Sequence, residues 1–180
     1  MHSIIYFTTR SLFVGTYITV PCLFFIQLLR ITLPLINKKA LIIAANYTFL
    51  LGSTLFVLKM VSEFLYSIFG GVEYEQYVIS NPYFNSFWFT LSLIAIANLL
   101  PQLLWIKKAR QTATFSFGIL CIWFLKFLIE ILFPEPGWHL EIKPGVVYYI
   151  GCWATYIIII SAIYFFLNKK DKSLERLGKF

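Results

Sequence analysis

The sequence predicts an all-helical, multi-pass membrane protein with five transmembrane helices in a bundle. Hydrophobic residues make up 59% of the 180 residues and charged residues 13%, whereas about 25% is charged in soluble domains. The hydrophobic residues form five continuous runs, each long enough to cross a hydrocarbon core of about 30 Å as a helix. Because the runs are continuous and do not alternate with polar residues, a transmembrane barrel is excluded.

Charged residues bound the first two predicted spans. The first span, residues 11–29, lies between Arg10 and Arg30, and the second, residues 40–69, follows Lys39. A charge inside hydrocarbon is costly, so charges of this kind mark the ends of membrane helices.

Charged residues also lie near the ends of the other three predicted spans. Residues 84–106 end before Lys107, residues 113–133 form the fourth span, and residues 146–167 form the fifth. Residues 168–180 are a basic tail that we expect in the cytoplasm. The segments between spans are short, so all 180 residues are expected to form a single transmembrane domain.

The distribution of positive charge predicts the orientation. Of the 15 Lys and Arg residues, 11 fall on one side of the predicted bundle. Cytoplasmic segments of membrane proteins carry an excess of Lys and Arg, which predicts that the N-terminus is outside and the C-terminus inside. These residues are Arg30, Lys38, Lys39, Lys107, Lys108, Arg110, Lys169, Lys170, Lys172, Arg176 and Lys179.

The same distribution argues against a nucleic-acid partner. The net charge is +7, but the basic residues lie at helix ends, where they fit topology and contact with anionic lipids. Only two histidines occur, His2 and His139, and both lie outside the predicted spans. A haem held by histidines within the membrane is therefore not expected. The sequence predicts no catalytic residue, no metal ligand set and no cofactor bound by this chain alone.

Two pairs of opposite charges fall inside predicted spans. Lys59 and Glu63 lie in the second span, and Lys126 and Glu130 lie in the fourth, each pair four residues apart on one helix face. One interpretation gives the carboxylates a role in proton handling or quinone contact. The other is a neutralised ion pair whose lysine reaches towards the interface.

The third span contains a polar interruption. Asn98 and Gln102 share a helix face, and Pro101 lies between them. Because proline has no N–H group, it leaves the carbonyl of Ala97 without its helical partner. The two amides could line a polar cavity, or they could bond neighbouring helices while the proline only kinks its own helix.

Aromatic residues in the two outer loops suggest a docking face for a periplasmic partner. The alternative is that they belong to the belt of aromatic residues at the membrane surface. The candidates are Tyr74, Tyr77, Trp138 and His139.

Several short strings resemble one family of membrane subunits. They are SEFLYS at 62–67, GGVEYEQY at 70–77, ANLLPQLLWIKKAR at 97–110, WF at 123–124, PGW at 136–138 and KP at 143–144. In order and spacing they resemble the polysulfide-reductase (NrfD/PsrC-like) family, and in particular the membrane subunit of alternative complex III. The resemblance extends over about residues 11–168.

The sequence departs from this family at two points. Where the family has Trp-Phe-Glu-Arg-Phe, this chain has WFLKF, so the acid is absent and Lys126 replaces the arginine. Glu130, one turn later, is the candidate to compensate. The resemblance also covers only the C-terminal half of a subunit with about twice as many helices. Because the family's quinone pocket lies mainly in the other half, no quinone-site residue can be carried over to this chain.

The resemblance implies a half-length NrfD-like integral subunit of a respiratory quinol-oxidising complex in the bacterial cytoplasmic (inner) membrane. Such a subunit would be non-catalytic and carry no redox centre. Its partners would be the lipid bilayer, other membrane subunits and a periplasmic iron–sulfur or cytochrome subunit, with a quinone at a subunit interface. Two alternatives stay open. One is a small transporter or membrane scaffold that dimerises, and the other is the structural remnant of a split or truncated gene.

Overall fold

The computed structural model describes residues 2–34, 36–70, 95–132 and 145–176, without the side chains of 2–3, 67–68, 126–132 and 170–176. The described residues are helical and contain no strand, which confirms the predicted all-helical class. The helices are α1 (His2–Leu28), α2 (Lys38–Phe69), α3 (described as Ala95–Trp105), α4 (Lys107–Arg110), α5 (Ala113–Leu132) and α6 (Val146–Arg176).

Three of these helices are long and apolar enough to cross a membrane, namely Ile4–Leu28, Lys38–Tyr66 and Val146–Lys169. Two shorter apolar helices, Ala95–Trp105 and Ala113–Leu125, lie within the third and fourth predicted spans. Residues 84–94 of the third predicted span lie outside the described part of the chain. The structure therefore supports a membrane protein with three helices of membrane-spanning length.

Helix α1 extends in front of the predicted first span. It begins at His2, so Arg10 lies inside the helix and not in front of it. The guanidinium is accommodated by aromatic neighbours, because Arg10 Nη1 donates a hydrogen bond of 2.8 Å to the hydroxyl of Tyr6. The Cζ atom of Arg10 also lies 5.3 Å from the ring centre of Tyr148 in α6. At the other end of the chain, α6 extends past the predicted span to Arg176, so the basic tail begins as helix.

Helices α1 and α2 lie at the centre of the bundle, since α1 packs against α2, α5 and α6, and α2 packs against every other described helix. Buried apolar side chains form one cluster among α1, α2, α6 and the first residue of α5, and a second among α1, α2, α3 and α5. Within lipid, helices associate through close van der Waals packing, which small residues permit. Gly15 of α1 lies against the ring of Tyr156, and Gly52 of α2 lies against Leu12.

Three hydrogen bonds bring several helix ends together at what we call the basic end of the bundle. Lys38 Nζ donates to the carbonyl of Ile26 at 2.8 Å, and the N–H of Asn37 donates to the hydroxyl of Tyr164 at 3.1 Å. The third joins α1 to α5, because the N–H of Ala113 donates to the side-chain oxygen of Gln27 at 2.9 Å. The basic side chains at this end that the structure describes are Arg30, Lys38, Lys39, Lys107, Lys108, Arg110 and Lys169.

The outer faces of the helices are apolar as well as the inner ones. In the most apolar stretch of α6 only 17% of residues are buried, against 33% in α1 and 50% in α2. Ile158, Phe165 and Phe166 of α6 are each more than 60% exposed. Because a helix that is hydrophobic all round is not stable against water, these faces indicate a lipid environment.

Candidate functional site

The polar residues of α3 form hydrogen bonds to α2. Ser53 Oγ donates to the carbonyl of Asn98 at 2.5 Å and accepts a bond of 3.0 Å from Gln102 Nε2. The side-chain oxygen of Gln102 accepts a further bond of 3.1 Å from the indole of Trp105. Ser53 is fully buried and Asn98 is 7% exposed. The side-chain amide of Gln102 thus makes the kind of contact that the helix-packing interpretation expects, whereas Asn98 bonds to α2 through its backbone carbonyl.

Pro101 reshapes α3, and α5 supplies the donor that the proline lacks. From Leu100 to Trp105 the backbone tightens into a 3₁₀ helix. The carbonyl of Ala97, which Pro101 cannot bond, accepts a hydrogen bond of 2.7 Å from the indole Nε1 of Trp123. A side chain from another helix thus satisfies a backbone group that would be costly to leave unpaired in lipid.

The ring of Trp123 is fixed by its aromatic neighbours. Its ring centre lies 4.9 Å from that of Phe13 in α1 and 5.4 Å from that of Phe49 in α2, both edge to face. Edge-to-face pairs at this distance are favourable beyond the apolar area that they bury. Trp123 therefore joins α5 to three other helices at one level of the bundle.

A second polar centre, which the sequence analysis did not predict, surrounds Asn46 of α2. Its Nδ2 donates to the carbonyls of Arg110 and Thr112 at 2.8 and 3.0 Å, and its Oδ1 accepts from Ser116 Oγ at 2.6 Å. Asn46 is 1% exposed. It holds the turn between α4 and α5 against α2. The available signal was a single amide in an apolar span, the same signal that pointed to Asn98.

The predicted pair of Lys59 and Glu63 lies at the end of the bundle remote from the basic end. Lys59 Nζ is 3.3 Å from Glu63 Oε1, and the two side chains are 25% and 55% exposed. Lys59 Nζ also lies 5.0 Å from the ring centre of Tyr6 in α1. We call the end that carries Lys59, Tyr6, Arg10 and Tyr148 the Arg10 end. The ion pair is partly exposed, as expected of a lysine near the end of a span.

The remaining predicted residues lie outside what the structure describes. Lys126 and Glu130 fall within α5, but their side chains are not among the described ones. The loop residues Tyr74, Tyr77, Trp138 and His139 also fall outside the described residues. Within the described part of the chain, no three His, Cys, Asp or Glu side chains come together as a metal ligand set.

A lateral groove of about 610 Å³ opens between α1 and α5. Its lining is mostly apolar, and the lining residues with polar side-chain atoms are Tyr17, Cys121 and Trp123, of which Tyr17 and Cys121 are exposed. The residues that line it are Tyr17, Pro21, Phe117, Leu120, Cys121, Trp123 and Phe124. The groove has the size and lining of a site for an apolar group that enters from the lipid.

Comparison with known proteins finds no relative of this chain. No protein-family model matches the sequence, and no curated protein and no solved structure is significantly similar to it. The function is therefore argued from the residues, their contacts and the short strings described above.

Proposed function

We propose that this chain is a non-catalytic integral subunit of a respiratory quinol-oxidising complex in the bacterial cytoplasmic membrane. It supplies membrane helices, and neighbouring chains carry the redox centres. In this proposal the chain crosses the membrane five times, with its N-terminus outside and its C-terminus inside.

One observation carries the proposal. The string at residues 97–110, which resembles the NrfD/PsrC-like family most extensively, is also a segment whose polar groups join helices. The backbone carbonyl of Asn98 and the side chain of Gln102 bond to Ser53 of α2, and the backbone carbonyl of Ala97 bonds to Trp123 of α5. The polar groups of this segment are used to pack helices together. The segment therefore supports the proposal of a subunit that serves as a scaffold.

The proposed orientation is supported by the location of the charges. The basic residues at the junctions between α1 and α2 and between α3 and α5 lie at the same end as the C-terminal part of α6. A five-span chain with both basic junctions on one side would place them there. The positive-inside rule then assigns that end to the cytoplasm.

The exposed surfaces are suited to assembly with other membrane subunits. Most of the apolar stretch of α6 is exposed, and the groove between α1 and α5 opens to the side. Neighbouring helices or lipid would cover both surfaces. A quinone shared with a neighbouring subunit would fit in this groove, where Tyr17 offers a hydroxyl donor.

The proposal is tested by native purification in a mild detergent, followed by mass spectrometry of the chains that copurify. We expect a stoichiometric iron–sulfur or cytochrome subunit, whereas the isolated chain should show no haem or flavin absorbance. A chain that purifies as a dimer of itself with no redox partner would contradict the proposal. It would instead support the transporter or scaffold.

A further inference from the structure

Two cations from different helices lie near the ring of one tyrosine at the Arg10 end. The Nζ atom of Lys59 in α2 lies 5.0 Å from the ring centre of Tyr6, and the Cζ atom of Arg10 in α1 lies 5.9 Å from it. Arg10 also lies 5.3 Å from the ring centre of Tyr148, so α6 completes the cluster. Contacts between cations and aromatic faces hold the two positive groups in place without neutralising them.

The charges of this cluster do not cancel. The carboxylate of Glu63 is paired with Lys59 at 3.3 Å. Arg10, in contrast, is in contact with tyrosines and with no carboxylate among the described residues. Among the described residues, two cations and one carboxylate leave one positive charge at Arg10. A charge within a membrane helix is costly unless an anion accompanies it, which makes Arg10 a candidate to bind one.

The guanidinium of Arg10 has donors left for such a partner. It carries five N–H groups, of which one donates to the hydroxyl of Tyr6 at 2.8 Å. Arg10 is partly exposed and Tyr6 is 41% exposed. The cluster is therefore accessible from outside the bundle, where an oxyanion could accept two parallel bonds from the guanidinium.

The depth of Arg10 favours a lipid as the source of that oxyanion. The apolar part of α1 begins at Ile4, and six residues of helix place Arg10 about 9 Å further in. A long arginine side chain at this depth can extend back to the layer of lipid phosphates.

From these contacts we infer a second site, independent of the proposed respiratory role. Arg10 binds the phosphate of an anionic phospholipid at the Arg10 end of the bundle. The hydroxyl of Tyr6 holds the guanidinium in position, while Lys59 stays paired with Glu63.

The test measures lipid retained by the full chain, purified in detergent with phosphatidylglycerol or phosphatidylcholine and analysed by native mass spectrometry. We expect the wild type to retain phosphatidylglycerol in preference to phosphatidylcholine. Arg10→Gln should lower phosphatidylglycerol retention by about fivefold or more, the effect of one lost charge-assisted contact. Arg30→Gln removes the same charge at the basic end and is the matched control for the general effect of charge on lipid retention, so we expect a clearly smaller loss than in Arg10→Gln.

Two further arms separate the outcomes. Arg10→Lys keeps the charge but not the two parallel bonds, so we expect it to retain an intermediate amount of phosphatidylglycerol. If Arg10→Gln does not fold, Arg10→Lys replaces it in the comparison with the wild type. Inorganic phosphate at millimolar concentration should not displace the phosphatidylglycerol. Displacement would identify free phosphate as the ligand and would contradict the proposal. Equal losses in Arg10→Gln and Arg30→Gln would overturn the site, because they would show a general effect of charge. Unchanged retention in Arg10→Gln would overturn it directly.

Discussion

Replacing Gly15 by alanine tests how closely α1 approaches α6. A Cβ atom at Gly15 would lie 1.9 Å from Cγ of Tyr156 and 2.2 and 2.3 Å from its two Cδ atoms. These atoms form the base of a ring that is only 2% exposed. The ring therefore cannot move aside as the tip of a flexible side chain would.

Two opposing contributions decide whether Gly15→Ala raises or lowers the free energy of unfolding. Alanine favours a helix over glycine by about 1 kcal/mol, whereas overpacking a well-packed interior costs about 1–3 kcal/mol or more. Carbon atoms pack at roughly 3.5 Å or more, so the ring or a whole helix would have to move by roughly 1.6 Å. A displacement of this size places the overpacking cost at or above the upper end of its range. We therefore expect Gly15→Ala to lower the free energy of unfolding by about 2 kcal/mol.

Two other glycines provide matched controls. A Cβ at Gly151 of α6, which faces α1, would meet Phe7 at 3.5 Å, an ordinary contact, and a Cβ at Gly118 of α5 would meet nothing within 4 Å. Alanine at either position should leave the thermal unfolding temperature in detergent unchanged or slightly higher. The comparison separates overpacking from a general effect of replacing glycine in a membrane helix.

A double mutant completes the test. In a Tyr156→Ala background the obstructing ring is absent, so Gly15→Ala should lose its penalty, and the two changes should couple strongly. If Gly15→Ala proves as stable as Gly151→Ala, the close approach of α1 to α6 is refuted. An equal penalty with and without the ring of Tyr156 would show that another contact is responsible.

Three other changes test the hydrogen bonds, the topology and the charges. Trp123→Phe keeps most of the ring contacts but leaves the carbonyl of Ala97 unpaired. The free energy of unfolding in detergent should therefore fall by about 1–2 kcal/mol. An unchanged value would contradict the hydrogen bond from Trp123 to Ala97. In a background without native cysteines, Glu73→Cys should react with an impermeant thiol reagent from outside and Lys107→Cys should not; reaction of both from one side would exclude the five-span topology. If Lys126 and Glu130 form a structural pair, either single neutral replacement should cost several kcal/mol in stability, and Lys126→Met with Glu130→Gln should restore assembly; an assembled double mutant with impaired quinol turnover would instead assign a proton-handling role.

The amino-acid sequence alone determined that the protein lies in a membrane and that its fold is all-helical. The length and continuity of an apolar run are local properties, and the bilayer permits helices as the only structure for such runs. The carbonyl of Ala97 could likewise be identified as unpaired from the position of Pro101. Boundaries set by charge were less secure, because Arg10 lies inside α1 among tyrosines of two helices.

Only the tertiary structure decided which polar groups meet. Asn46 and Ser116 are 70 residues apart in the chain, and Ser53 and Gln102 are 49 residues apart, yet both pairs are hydrogen-bonded. Such contacts depend on the rotation and relative height of the helices, which follow from close packing at small residues and not from hydrophobic periodicity. For the same reason, the sequence predicted the pair of Lys59 and Glu63 but did not indicate that Tyr6 of α1 would lie near both Lys59 and Arg10.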